Sequence, residues 1–146
     1  MRVLGLDVGM KRIGVALSDP TGLLATPLLI IQHTTLQADF DAILKLARDN
    51  DVERILVGIP VSLDGALHHQ AHIIQAFRDK LASQTTLPID TWDERFSTME
   101  AKERMEEAGI KPARWKSLLD AAAAAIVLQA YLDSKRSSQP PQTREL

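Results

Sequence analysis

Three short apolar runs, each closed by a turn, stand ahead of an alternation of helical and extended patterns, and this order limits the possible folds more than any other feature of the chain. Residues 3–9 form an apolar run that stops at glycine, residues 12–18 resume after a tight turn, and the pair reads as a β-hairpin. Asp19-Pro20-Thr21-Gly22 makes a second turn, and residues 23–32, aliphatic with one proline, read as a third strand. Phe40, Ile43, Leu44 and Ala47 then recur at helical spacing within 36–50, and residues 54–58 form a short buried strand. A second amphipathic helix over 66–82 carries Ile73, Ile74, Phe77 and Leu81, and residues 87–92 give a fifth strand. A meander followed by this alternation predicts an α/β fold. Its sheet is five-stranded and mixed, an antiparallel meander plus parallel strands, with helices on both faces.

The rest of the chain extends the pattern. Residues 98–108 are helical with Gly109 as a stop, and 111–116 form a basic loop. The 118–132 helix, with Gln129 its only polar residue after Asp120, is expected to be buried nearly all round. Beyond it the composition is polar with two prolines, so the reading is one domain over 1–134 and a disordered tail over 135–146. At 146 residues and 45% hydrophobic, the chain can bury one core. A net charge of -2 neither demands nor excludes a polyanionic partner. No cysteine is present, which excludes disulfides and thiolate nucleophiles, and zinc would need the four histidines and carboxylates. His68 and His72 have a zinc-compatible i, i+4 spacing but no HExxH glutamate, and they read as a helix surface. The first residues run straight into a strand and no apolar run approaches a membrane span, so the expectation is a cytoplasmic protein with no membrane partner.

Acidic residues mark the places where strands end. Asp7 closes the first strand, Asp93-Glu94 closes the fifth, and Asp120 is expected to open the alanine-rich helix. In open sheets of this kind ligands gather at the carboxyl ends of strands. Carboxylates meeting there repel one another unless a cation lies between them, and an all-oxygen donor set suits Mg²⁺ or Mn²⁺. Strand alternation puts Val3, Gly5 and Asp7 on one face, and allows only one of Asp93 and Glu94 to turn toward Asp7. Simpler roles exist for each residue. Asp7 suits an Asx-type turn with Gly9, the Asp93-Glu94 pair a solvated strand end beside Arg95, and Asp120 the satisfaction of free N–H groups at a helix start.

The segments 4–16, Val57-Gly58-Ile59-Pro60 with Asp64-Gly65, 93–98, and Asp120-Ala121-Ala122-Ala123-Ala124 together resemble, in order and spacing, the four motif blocks of the YqgF/RuvX family. The resemblance implies an RNase H-like fold, a Holliday junction resolvase by fold analogy, and a nuclease that trims the 5′ end of precursor 16S rRNA. It also implies Asp7, Glu94 and Asp120 as catalytic metal ligands for Mg²⁺ or Mn²⁺. Met10 and Ser62 depart from the family pattern at positions that bear on substrate contacts. Phosphodiester hydrolysis would use two ions, with Lys11, Arg12 and Arg95 on phosphate oxygens. In the 111–116 loop, Lys111, Arg114 and Lys116 surround Trp115, which suits stacking on an unpaired base, unless Trp115 folds back on the core. The expected partners are precursor rRNA, with branched DNA and the ribosome as further candidates, and the protein itself as monomer or homodimer. Two other classes fit less well. An actin-like phosphotransferase needs two related domains, and a non-catalytic RNA-binding module has no need of all three carboxylates.

Overall fold

The computed structural model describes residues 1–60, 68–94 and 112–138, the last segment by backbone alone at 112–121 and 137–138. The elements are β1 (Val3–Val8), β2 (Arg12–Ser18), β3 (Ala25–Gln32), α1 (Leu36–Asp49), β4 (Arg54–Ile59), α2 (His69–Ala82), β5 (Ile89–Asp93) and α3 (Pro112–Ser138). The sheet order is β3-β2-β1-β4-β5. β1 runs antiparallel to β2 and parallel to β4, β2 antiparallel to β3, and β4 parallel to β5. This is the expected mixed sheet.

Alternation along the central strands builds two cores. Leu4, Leu6, Ile13, Val15, Ile55 and Val57 point to the side covered by α1 and α2. Val3, Ala16 and Leu56 point to the other, where Ala124, Ala125, Val127 and Leu128 of α3 meet them. The helices therefore do lie on both faces. On the first side Phe40 and Phe77 join α1 to α2 with ring centroids 5.1 Å apart. Thr35 caps α1, its side chain accepting from the Ala38 N–H at 3.1 Å. Ile73, expected in the core, is instead 43% exposed. Ile74, Phe77 and Leu81 already fill the buried stripe, and Ile73 lies about 100° round the helix from Ile74.

On the second side both surfaces are small. A Cβ on Gly5 would lie 3.0 Å from Leu128 Cβ and 3.5 Å from the Ala124 carbonyl, so the helix rests almost directly on the strand. The alanine run makes that approach possible, as the sequence suggested. α3 is tied down at its far end. Gln129 accepts from the Ala25 N–H at 2.9 Å and donates to the Leu23 carbonyl at 3.0 Å. Tyr131 donates to Asp90 at 2.6 Å, and Arg54 reaches the same carboxylate oxygen at 2.8 Å. Asp90 is the second residue of β5, whereas Val127 lies over Gly58 near the end of β4. Moving back along α3 therefore moves toward the carboxyl ends of the strands.

Three expectations change at α3. The helix starts at Pro112, so 112–116 are not a loop, and Arg114, Trp115 and Lys116 stand on its first turns. Proline breaks a helix interior but suits the first helical position, where its missing N–H is not needed. Asp120 accordingly stands about two turns inside α3 rather than opening it, which removes the helix-start role considered for it. The helix also continues through Ser138, so the first residues expected in the 135–146 tail are helical. The expected 98–108 helix and Ser62 lie outside the described residues.

Candidate active site

Asp7 sits at the end of β1, opposite Gly14 of β2. Leu4 and Leu6 enter the α1/α2 core and Val3 the α3 core, so alternation turns Asp7 toward α3. Beside it stand Lys11 in the β1–β2 turn and Arg12 at the start of β2, both exposed. A cavity of about 280 Å³ is lined by Asp7, Gly9, Met10, Lys11, Arg12 and Gly14. The two cations thus edge the hollow that holds the carboxylate.

Glu94 arrives from the other side of the sheet's centre. Ile59 pairs with Asp93, and the Glu94 N–H donates to the Ile59 carbonyl at 3.1 Å, carrying the ladder one residue further. Trp92 packs on the α3 side, edge-on to Tyr131 with centroids 5.7 Å apart. Two residues on, Glu94 returns to that side, while Asp93 between them is exposed. The Glu94 carboxyl lies over Gly58, its Oε2 only 2.6 Å from where a Cβ at that position would stand, and it is hydrogen-bonded to Asp7.

Burial pushes the Glu94 carboxyl up to about 8, helped by the charge of Asp7, the hydrogen bond to it, and the charge of Asp93. Near neutral pH the pair therefore holds a proton between two carboxylates. Such a site gains by exchanging that proton for a cation, and its all-oxygen donors fit a hard divalent ion. Among the described residues no three Asp, Glu or His side chains are grouped so as to hold a metal ion. His68, His69 and His72 are exposed, as a helix surface would be.

The remaining expected residues divide. Asp120 stands on α3 one turn before Ala124, and nothing of its side chain is described, nor of those of Arg114, Trp115 and Lys116. Arg95 and Lys111 lie outside the described residues. Sequence reasoning missed the part played by Gly58, although the signal was there: in the 54–58 strand it alternates with Leu56 and so shares the α3 face. It also missed the Arg54–Asp90–Tyr131 network, whose members are far apart in the chain. Burial raises the Asp90 carboxyl, but the Tyr131 hydroxyl, Arg54 and Lys135 together hold it below its ordinary value. Burial and the Asp90 carboxylate push Tyr131 up to about 12.

A family model described as RuvX, Holliday junction resolvase, matches residues 1–134. A protein of Desulforamulus reducens named as a candidate pre-16S rRNA nuclease is 43% identical over 134 residues, covering 92% of this chain and 98% of the relative. A Symbiobacterium thermophilum protein of the same name is 43% identical over 143 residues, covering 98% and 99%. Among solved structures, Thermus thermophilus RuvC with a Holliday junction substrate superposes with a TM-score of 0.59 at 16% identity, covering 94% of this chain and 97% of the other. The fowlpox virus Holliday junction resolvase gives 0.53 at 13%, covering 92% and 99%. At these identities the two structures speak for the shared RNase H-like fold.

Proposed function

The chain belongs to the RuvX family, and from that premise we propose that it is a divalent-metal-dependent endonuclease that trims the 5′ end of precursor 16S rRNA. The nuclease activity and rRNA processing follow the full-length relatives. One observation carries the chemistry: Asp7 and Glu94, from strands on either side of β4, meet as a hydrogen-bonded, half-buried carboxylate pair at the strand ends.

Asp7 and Glu94 are the first two ligands of this site, and Asp120 is the third. Helical periodicity puts residues 120, 124 and 128 on one stripe of α3, and Ala124 and Leu128 rest on Gly5 of β1. Asp120 then falls one turn further toward the rim where Asp7 lies. A bound Mg²⁺ or Mn²⁺ would supply a lowered pKa for the attacking water and positive charge at the leaving 3′ oxygen. The chain's own residues do the rest. Lys11 and Arg12 take phosphate oxygens beside Asp7, Arg12 by its bidentate fork, and Arg95 is assigned the same task next to Glu94. Gly9 and Gly14 leave room for the backbone to approach. Arg114, Trp115 and Lys116 contact nucleic acid from the first turns of α3, and Lys111 is assigned the same role.

We place the enzyme in the cytoplasm, with the ribosomal precursor as partner and 1–134 as the nuclease domain. Among the described residues no helix is long and apolar enough to cross a membrane. Trimming one RNA end needs one active site, so a monomer suffices, whereas a symmetric junction needs two and calls for a homodimer. The deciding experiment incubates the protein with a precursor 16S fragment and a four-way DNA junction side by side, in Mg²⁺, Mn²⁺ and EDTA. RNA cleavage that is abolished by EDTA is expected. Cleavage of the junction alone would transfer the activity to DNA resolution.

A further inference from the structure

A second cavity, of about 390 Å³, lies on the opposite face of the sheet from the carboxylate pair, between the β1–β2 turn, α1 and α2. Its lining includes three exposed apolar side chains: Met10, 75% exposed, and Leu36 and Ile73, each 43% exposed. Phe77 is buried among them. One wall is polar. Asp39 is 2% exposed, and its Oδ2 lies 2.5 Å from His33 Nδ1. Its Oδ1 is buried with no hydrogen-bond partner among the described residues. With Nδ1 held by Asp39, the Nε2 of the partly exposed His33 ring is the nitrogen left for a ligand.

Two observations join this cavity to the site at Asp7. Gly9 and Met10 line both hollows, so a single turn of chain separates them. The His33 N–H also donates to the Lys11 carbonyl at 2.9 Å, fixing the polar wall to the turn that carries Lys11 and Arg12. The volume falls in the lower part of the roughly 300–1,000 Å³ usual for small-molecule sites. One heteroaromatic ring system fits, but an α-helix about 10–12 Å across does not.

We propose that this cavity is a subsite for one unstacked base of the nucleic-acid strand, a reading that rests on the nuclease function above. A strand whose phosphates lie along Lys11 and Arg12 turns one base over the Gly9-Met10 edge. The base stacks against Met10 and Ile73, and its polar edge meets His33 and Lys80. Flat apolar walls with few polar groups recognise a base through its face, which makes the subsite tolerant of sequence.

The test is titration of a short fluorescent single-stranded RNA in EDTA, with the parent and with Ala76→Trp. Ala76 lines the cavity from an exposed position of α2, so the larger side chain fills the space without entering the core. The variant is expected to bind about tenfold more weakly, the loss of one stacked base. The same RNA made abasic along its length should bind the parent and the variant equally. Should Ala76→Trp fold poorly, Met10→Ala provides the same comparison from a side chain that is mostly in solvent. Equal binding of intact RNA by parent and variants overturns the subsite. So does a parent that sediments as a dimer while a variant that binds RNA equally well sediments as a monomer, which would give the cavity to a second copy of the chain. Cleavage with Mg²⁺, read in parallel, separates the two readings. Cleavage with cavity-independent binding keeps the nuclease and removes the subsite, whereas cavity-dependent binding without cleavage does the reverse.

Discussion

Two residues, Asp7 and Gly58, make the candidate site testable by single substitutions. Asp7→Asn removes one of two carboxylates in contact, so in metal-free buffer the variant should melt no lower than the parent. Its nuclease activity should fall on the order of a hundredfold or more, because an amide is a poor ligand for a divalent ion. A strongly destabilised variant would instead make Asp7 a turn residue. Gly58→Ala separates the same two properties in another way. Its new Cβ would sit 2.6 Å from Glu94 Oε2 and 3.4 Å from Val127 Cγ1. The carboxyl can swing away, so thermal unfolding should report a loss of only about 1 kcal/mol. Cleavage should nevertheless drop as far as for Asp7→Asn, because Glu94 has left its partner. Neither change tests Asp120, whose place was legible only as a stretch of sequence.

At the scale of the element, α3 is the part on which the site depends, since it closes the sheet face that bears Asp7 and Glu94. Its approach is set by Gly5. A Cβ there would press on Leu128 Cβ at 3.0 Å, a branched side chain on a packed helix that cannot swing aside. Gly5→Ala should therefore cost about 1–3 kcal/mol in chemical denaturation, more than Gly58→Ala, and activity should fall with it as the helix is displaced. The far end of α3 is held by Tyr131, Asp90 and Arg54. Tyr131→Phe should cost about 1 kcal/mol near neutral pH. Asp90 is held below its ordinary value in the fold, so its contribution is present above that ordinary value and lost as pH falls through the lowered one. The acid limb of the parent's stability profile should thus be steeper than that of Tyr131→Phe, which urea titrations at stepped pH would show.

For the whole molecule, the half-buried pair ties stability to pH and, on the proposed function, to metal. Glu94 is raised in the fold from 4.5 to about 8. A raised group stabilises fully below its unfolded value, and that contribution disappears as pH climbs through the folded one. Metal-free protein should therefore lose stability between about pH 4.5 and 8. On the proposed function Mg²⁺ or Mn²⁺ would bind only the folded site, and it should then raise the melting temperature more at pH 8 than at pH 5. A metal effect independent of pH over this range would mean that the ion binds elsewhere.

Much of this architecture was legible in the chain because it depends on local periodicity. Alternation gave the five strands, the hairpin and the face on which Asp7 lies, and it allowed only one of Asp93 and Glu94 to turn toward Asp7, the family resemblance naming Glu94. Spacing of motif blocks along 1–134 pointed to the family. Where α3 begins was not legible, because Pro112 reads equally as a breaker or as a first helical residue, and only the packed helix distinguishes them. The contact of Glu94 with Gly58, the Tyr131–Asp90–Arg54 tie, and the hollow between Met10, Ile73 and His33 each join segments distant in sequence. No periodic pattern encodes them. The first two exist because β1, β4 and β5 lie side by side and α3 comes close enough, over glycine and alanine, to leave a carboxyl no room but beside another, and the third because α1 and α2 pack beside the β1–β2 turn.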